Sequence, residues 1–164
     1  MVRVDPYVFS GNPKTAFQIP FDDVIFSSPL GKFPAWRTHG DSDTWVIMIH
    51  GRSSNRQEGL RTLPLFVESG HPTLSITYRN DEGVPADPRC FYNYGKTEWE
   101  DLEGAVKYAV DNGAEDVILV AFSYDGSIVM NFLNQSQEAH RVRGIIMDAP
   151  LLNLNSAMEA GAKE

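Results

Sequence analysis

Four short apolar runs set the terms for this chain: WVIMI (45–49), TLSIT (73–77), VILVA (117–121) and GIIM (144–147). Each is nearly continuous and rich in β-branched residues, without the alternation of a strand that keeps one face in water. Runs of this kind are strands buried on both sides, the condition of a parallel sheet covered by helices. Helical patterns lie between them. SNRQEGLRTLPLFVESG has a capping box in Ser54 and Gln57 and a stop at Gly70, while Pro64 predicts a kink or a late start. In TEWEDLEGAVKYAVDNG, Thr97 caps and Glu100 closes the box. Trp99, Leu102, Val106 and Ala109 form its apolar face, and Asn112 and Gly113 end it. SIVMNFLNQSQEA is the third helix. The order β-α-β-α-β-α-β requires parallel strands joined by right-handed crossovers. Upstream, DDVIFSS and KFPAWRT read as an antiparallel pair among turns at GNP and SSPLG. The expected class is α/β, a mainly parallel sheet with helices on both faces.

At 164 residues the chain holds one domain with a real core. Its net charge is −8, from 14 basic and 22 acidic residues, and Arg141, Arg143 and the pair Arg52 and Arg56 stand apart from one another. An acidic surface without a basic patch argues against nucleic acid or an anionic membrane as partner. Cys90 is the single cysteine, and His39, His50, His71 and His140 lack ligand spacing, so neither a metal nor a cofactor is expected. No apolar stretch reaches the length of a membrane span, and MVRVDPYVFSG lacks the apolar centre of a signal peptide. These features place the expected location in the cytoplasm.

The stretch AFSYDG (121–126) ends the third run and opens the third helix. A serine there has two readings. It is a helix N-cap, which serine often fills, or a nucleophile at a sharp turn, with the free N–H groups and positive dipole end of the helix available to a developing oxyanion. VILVAFSYDGSIVMNFL, WVIMIHGRSSN and MDAPLLN together resemble the α/β-hydrolase superfamily over roughly residues 20 to 155, and within it the serine esterases with a His-Gly oxyanion turn. The resemblance implies that Ser123 is the nucleophile and that the backbone N–H groups of Arg52 and Tyr124 form the oxyanion hole. It implies a carboxylic ester hydrolase acting on a small-molecule ester. The chain departs from the family's G-x-S-x-G at two places, with Ala121 and Asp125 where glycines are usual. Asp125 would add negative charge near an oxyanion, and its side chain is expected to face away from the Ser123 hydroxyl.

His50 is expected to orient the oxyanion turn rather than act as base, Arg52 to be a solvated loop charge, and Asp148 to be structural rather than the catalytic acid. Phe91, Tyr92 and Tyr94 belong to the irregular stretch 80–95 and either line a pocket or anchor the loop. In the family, acid and histidine follow the serine on later strands. No histidine follows His140, and NLNSAMEAGAKE reads as an unfinished helix. The expectation is therefore an N-terminal part of one α/β-hydrolase domain, with antiparallel strands in 1–43, a βαβ core in 44–155 and the start of a following helix in 156–164. A complementary C-terminal polypeptide would carry the acid and the histidine, and this chain alone would be inactive. The alternative is a non-catalytic α/β-hydrolase-like binding module.

Overall fold

In the computed structural model, residues 10–150 are described. The unfinished helix expected near the C-terminus and the segment before residue 10 lie outside them. Six strands form one sheet in the order β1-β2-β4-β3-β5-β6. β1 (Asp22–Ser28) and β2 (Gly31–Thr38) pair antiparallel, as their sequences suggest, and β2 joins the rest through an antiparallel pairing with β4 (Thr73–Ile76). β3 (Thr44–Ile49), β4, β5 (Asp116–Phe122) and β6 (Val142–Asp148) are mutually parallel. Every residue of β3 and β4 is buried, which explains their continuous apolar character.

Helices cover both faces. α3 (Trp99–Asp111) and α4 (Gly126–Gln135) lie on the side where Trp45, Ile47, Ile49, Leu119 and Ala121 point. On the opposite side Val46, Met48, Val120 and Phe122 pack with Leu60 and Leu63 of a 3₁₀ turn (Arg56–Arg61) and of α2 (Leu63–Glu68). A one-turn helix α1 (Pro13–Phe17), capped by Asn12 with Pro13 in first position, adds Ala16 and Phe17 to that side. GNP is not the turn expected from its composition; the Asn-Pro pair instead starts a helix, because Asn12 Oδ1 accepts the Thr15 N–H at 2.9 Å. Among the described residues no helix is long and apolar enough to cross a membrane.

Two of the expected caps are corrected. The 3₁₀ turn is capped by Asn55, whose side chain accepts from the Gln57 N–H at 2.8 Å, not by Ser54. Pro64 marks a late start, since α2 begins at Leu63. At α3 the N-cap is Glu98 instead of Thr97, and no side chain caps the helix. Glu98 is fully buried and turns back to accept the N–H groups of Asn93 (2.6 Å) and Gly95 (3.0 Å). Thr97 Oγ1 accepts from Asn93 Nδ2 at 3.1 Å. Both side chains organise the preceding loop, so the helix start is set by tertiary demand rather than by local capping.

β6 is a sheet edge. Ile145 and Ile146 point to opposite faces and stay 39% and 48% exposed. The other side of the sheet is fastened by a buried ion pair. Asp101 of α3, with no solvent exposure, accepts Arg79 Nε (2.8 Å), Nη2 (2.9 Å) and N–H (2.9 Å), and also Ser28 Oγ (2.6 Å). Burial alone would lower the Arg79 pKa; the hydrogen bonds and charges of Asp101 and Glu100 outweigh it and raise it. Removing one partner of a buried pair strands the other charge. Asp101→Ala should therefore cost about 3 kcal/mol or more in urea unfolding at neutral pH. A loss below about 1 kcal/mol would mean that Arg79 simply swings into water.

Candidate active site

The parallel register of β3 and β5 sets Ile49 beside Ala121. Two residues further along each chain, Gly51 meets Ser123: a Cβ on Gly51 would stand 3.2 Å from the Phe122 carbonyl oxygen and 3.4 Å from Ser123 Cβ. A larger residue there would push the two loops apart. Ser123 ends β5 and opens a 3₁₀ turn (Ser123–Asp125) that runs directly into α4. Its φ is 53°, the left-handed region that a non-glycine residue occupies only at a cost of about 1–3 kcal/mol. The residue is exposed, and its hydroxyl makes no hydrogen bond among the described residues. This is the strand-to-helix turn expected of VILVAFSYDG. Tyr124, the next residue, is the second of the 3₁₀ turn, so its backbone precedes α4.

The loop after β3 is held from several directions. His50 is buried, with Nδ1 donating to the Gly51 carbonyl at 3.0 Å and Nε2 bonded to Asp81 Oδ2 at 2.8 Å. Its ring stacks on Tyr78 at 4.5 Å, and the Tyr78 hydroxyl donates to the His50 carbonyl at 3.2 Å. With both nitrogens engaged, His50 orients the turn and is not available to Ser123. Gly51 N–H donates to Glu58 Oε2 at 2.6 Å, and Ser54 N–H donates to the Gly51 carbonyl at 3.0 Å. The Arg52 N–H has no hydrogen-bond partner among the described residues. The Arg52 side chain is exposed, its guanidinium 6.0 Å from the centre of the Tyr92 ring.

A cleft of about 460 Å³ opens beside this loop, lined in part by Trp36, Ser53, Arg56, Asp81, Glu82 and Tyr92. Of the loop aromatics, Tyr92 lines it, Phe91 is 70% exposed, and Tyr94 packs partly against the core. Asp148 pairs with Arg61 Nη2 at 2.8 Å. His140, in the 3₁₀ turn after α4, donates to the Gln137 carbonyl at 2.8 Å. Among the described residues six non-glycine residues besides Gln18 have left-handed φ: Ser53, Asn80, Cys90, Tyr94, Ser123 and Ala149. All six lie in segments that follow β3, β4, β5 or β6, the end of a parallel sheet where ligands bind. Strain gathered at one end of a sheet is a mark of function, and no sequence pattern announces it at a cysteine or a tyrosine.

Asp125 is the least expected member. It is fully buried, and neither carboxylate oxygen makes a well-formed hydrogen bond. Burial pushes its pKa well above the usual carboxylate range. The Tyr78 hydroxyl opposes that shift, whereas Glu58, Asp81 and Glu98 reinforce it. Asp125 is the N-cap of α4 without capping it, so its side chain is not turned outward along the first helical turn.

No family model and no curated protein sequence matches the chain. Solved structures do. The esterase Pf2001 of Pyrococcus furiosus superposes with a TM-score of 0.74 at 21% identity, over 97% of this chain and 65% of that one. XC6422 of Xanthomonas campestris, described as an α/β serine hydrolase without a lid, gives 0.64 at 16% identity over 79% and 61%. An epoxide hydrolase from an endophytic Streptomyces gives 0.61 at 17% identity over 77% and 36%. The chain thus has an α/β-hydrolase-like fold and spans about two thirds of the length of the Pyrococcus esterase.

The Asp125 carboxyl carries a pH signature whose sign follows from linkage. Below about pH 4 it is protonated in both folded and unfolded chains. Above that the unfolded chain loses the proton while the folded one keeps it, so stability falls as pH rises towards the folded pKa. Asp125→Asn removes this term. The difference in Tm, variant minus parent, should grow as pH rises above about 4 and level off once the folded pKa is passed. A difference that stays flat throughout that rise would mean that Asp125 ionises freely in the folded protein.

Proposed function

We propose that this chain carries the serine and oxyanion half of a serine hydrolase acting on carboxylic esters. One observation carries the reading: an exposed serine held at φ 53° on a strand-to-helix turn, against the Gly51 loop of the neighbouring parallel strand. In the proposed reaction Ser123 Oγ attacks the ester carbonyl and gives its proton to a histidine. The Arg52 and Tyr124 N–H groups stabilise the oxyanion of the tetrahedral intermediate. The histidine then protonates the departing alkoxide, and water hydrolyses the acyl-serine by the same steps in reverse roles. Among the described residues none is placed to serve as that base. Both ring nitrogens of His50 are engaged by Gly51 and Asp81, while His39, His71 and His140 follow β2 or precede β4 and β6, at the end of the sheet opposite Ser123.

The acid and histidine are assigned to a complementary polypeptide that pairs with β6. Support comes from the two half-exposed isoleucines on that edge and from the greater length of the Pyrococcus esterase. Such a partner completes a core, so it should bury more than about 2,000 Å². The absence of a base from the described residues is also what a non-catalytic binding module would have, and one assay separates the two.

Hydrolysis of p-nitrophenyl acetate should be negligible for the 164-residue chain and appear when the complementary polypeptide is added. Ser123→Ala should then lower kcat by at least about 10⁴-fold, while Asp125→Gly should leave it similar or higher. Full activity of the chain alone would overturn the two-part reading. Activity that survives Ser123→Ala would overturn the nucleophile, and no activity in any combination would leave the binding module.

A further inference from the structure

The loop that approaches Ser123 is gripped by a side chain that no sequence motif announces. Glu58 sits in the 3₁₀ turn after β3, and its Oε2 takes the Gly51 N–H at 2.6 Å. That is a short contact between an N–H and a carboxylate, the stronger kind of hydrogen bond. The turn is seated firmly. Leu60 has no solvent exposure, and a Cβ on Gly59 would fall 2.9 Å from Ser75 Oγ and 3.0 Å from Met48 Sδ. Glu58 therefore stands on backbone pressed against β3 and β4, at a fixed height above the sheet. Its other oxygen faces Arg61 Nη1 at 3.8 Å, and Arg61 in turn lies 5.3 Å from the centre of the Phe122 ring and pairs with Asp148 at 2.8 Å. One arginine thus links the carboxylate to the residue before Ser123 and to the end of β6.

We infer that Glu58, steered by Arg61, is the positioning residue of the oxyanion loop; the inference rests on the ester hydrolase reading. The Gly51 N–H is fixed by Glu58, and the Gly51 carbonyl by Ser54 N–H and His50. Those contacts hold both peptides that flank Gly51. The next N–H along, that of Arg52, is left unbonded among the described residues and is the one assigned to the oxyanion. Without Glu58 the Gly51 N–H needs another acceptor, the His50–Gly51 peptide keeps only the Tyr78 hydroxyl on its carbonyl, and its rotation at Gly51 shifts the Arg52 N–H relative to Ser123. Glutamine keeps an acceptor oxygen at the same reach; alanine does not.

Two readouts test this. The first needs no activity: hydrogen exchange at the Gly51 amide in the folded 164-residue chain. Glu58→Ala should speed it by about 10-fold or more, and Glu58→Gln should restore most of the protection. The second uses p-nitrophenyl acetate and the chain assembled with its complementary polypeptide. Glu58→Ala should lower kcat about 10- to 100-fold, a share of what an oxyanion donor supplies. KM should stay within about two-fold, and Glu58→Gln should recover most of kcat. Unchanged Gly51 exchange in a folded Glu58→Ala chain overturns the proposal, as does faster exchange with unchanged kcat. If Glu58→Ala does not fold, Glu58→Gln decides: Gly51 protection near that of the parent supports the assignment, and its loss overturns it. If the parent hydrolyses no ester while the exchange results hold, the hydrolase reading falls and Glu58 remains the residue that positions the loop.

Discussion

The pairing of Ile49 with Ala121, one rung of the parallel ladder between β3 and β5, governs where everything chemical can sit. Side chains alternate along a strand, so a slip of one residue would turn Trp45, Ile47 and Ile49 away from α3 and α4 and into the space of α2. The core on both faces thus locks the register, and the register delivers Gly51 to Ser123. The loops do not find each other through contacts of their own. They are carried to one point by the apolar packing beneath them, and small adjustments such as the Glu58 hydrogen bond act on a geometry already close to its final form.

Burial of acids is the second organising fact. Glu98 is surrounded by backbone donors, Asp101 by a guanidinium and a hydroxyl, and Asp81 by the His50 ring and the Tyr78 N–H. Each carboxylate has at least one hydrogen-bond donor on it. Asp125 lies within the electrostatic reach of Glu58, Asp81 and Glu98 without an equivalent donor, and is the one driven towards neutrality. On the proposed ester hydrolase reading, a neutral carboxyl is tolerable beside a site that accepts a developing anion, where a carboxylate would not be. The departure from glycine at this position is therefore milder than formal charge implies.

β3, β4 and β5 were legible because burial on both faces leaves continuous apolar runs, and β6 shows the same run although both its faces are half-exposed. The turn at Ser123 was legible because a serine between such a run and a helix has few explanations. The antiparallel entry through β1 and β2 was legible from its turns. Local capping rules served less well. Ser54 and Thr97 have the right chemistry in the right place, yet Asn55 caps the first turn and Glu98 starts α3 while its carboxylate serves a loop. The interior position of Asp125 was hidden for the same reason, since an aspartate at a helix start ordinarily faces water. Glu58 had no signal at all. Its role depends on Gly59 pressing against Met48 and Ser75, which are distant in sequence.

The ion pair between Arg79 and Asp101 has a consequence for how such a protein can change. It clamps the exit of β4 to α3, and Glu98 clamps the other end of the intervening excursion through Asn93 and Gly95. Between those clamps the chain from Asp81 to Tyr92 leaves the sheet and returns, carrying Tyr92 to the wall of the cleft. Within the excursion Asp81 holds His50, Asn80 bonds the Asp87 N–H and the Phe91 carbonyl, and Asn93 bonds Asp87. Changes at Glu82 or Tyr92, which line the cleft outside those anchors, would reshape it while the clamps hold strand and helix in place.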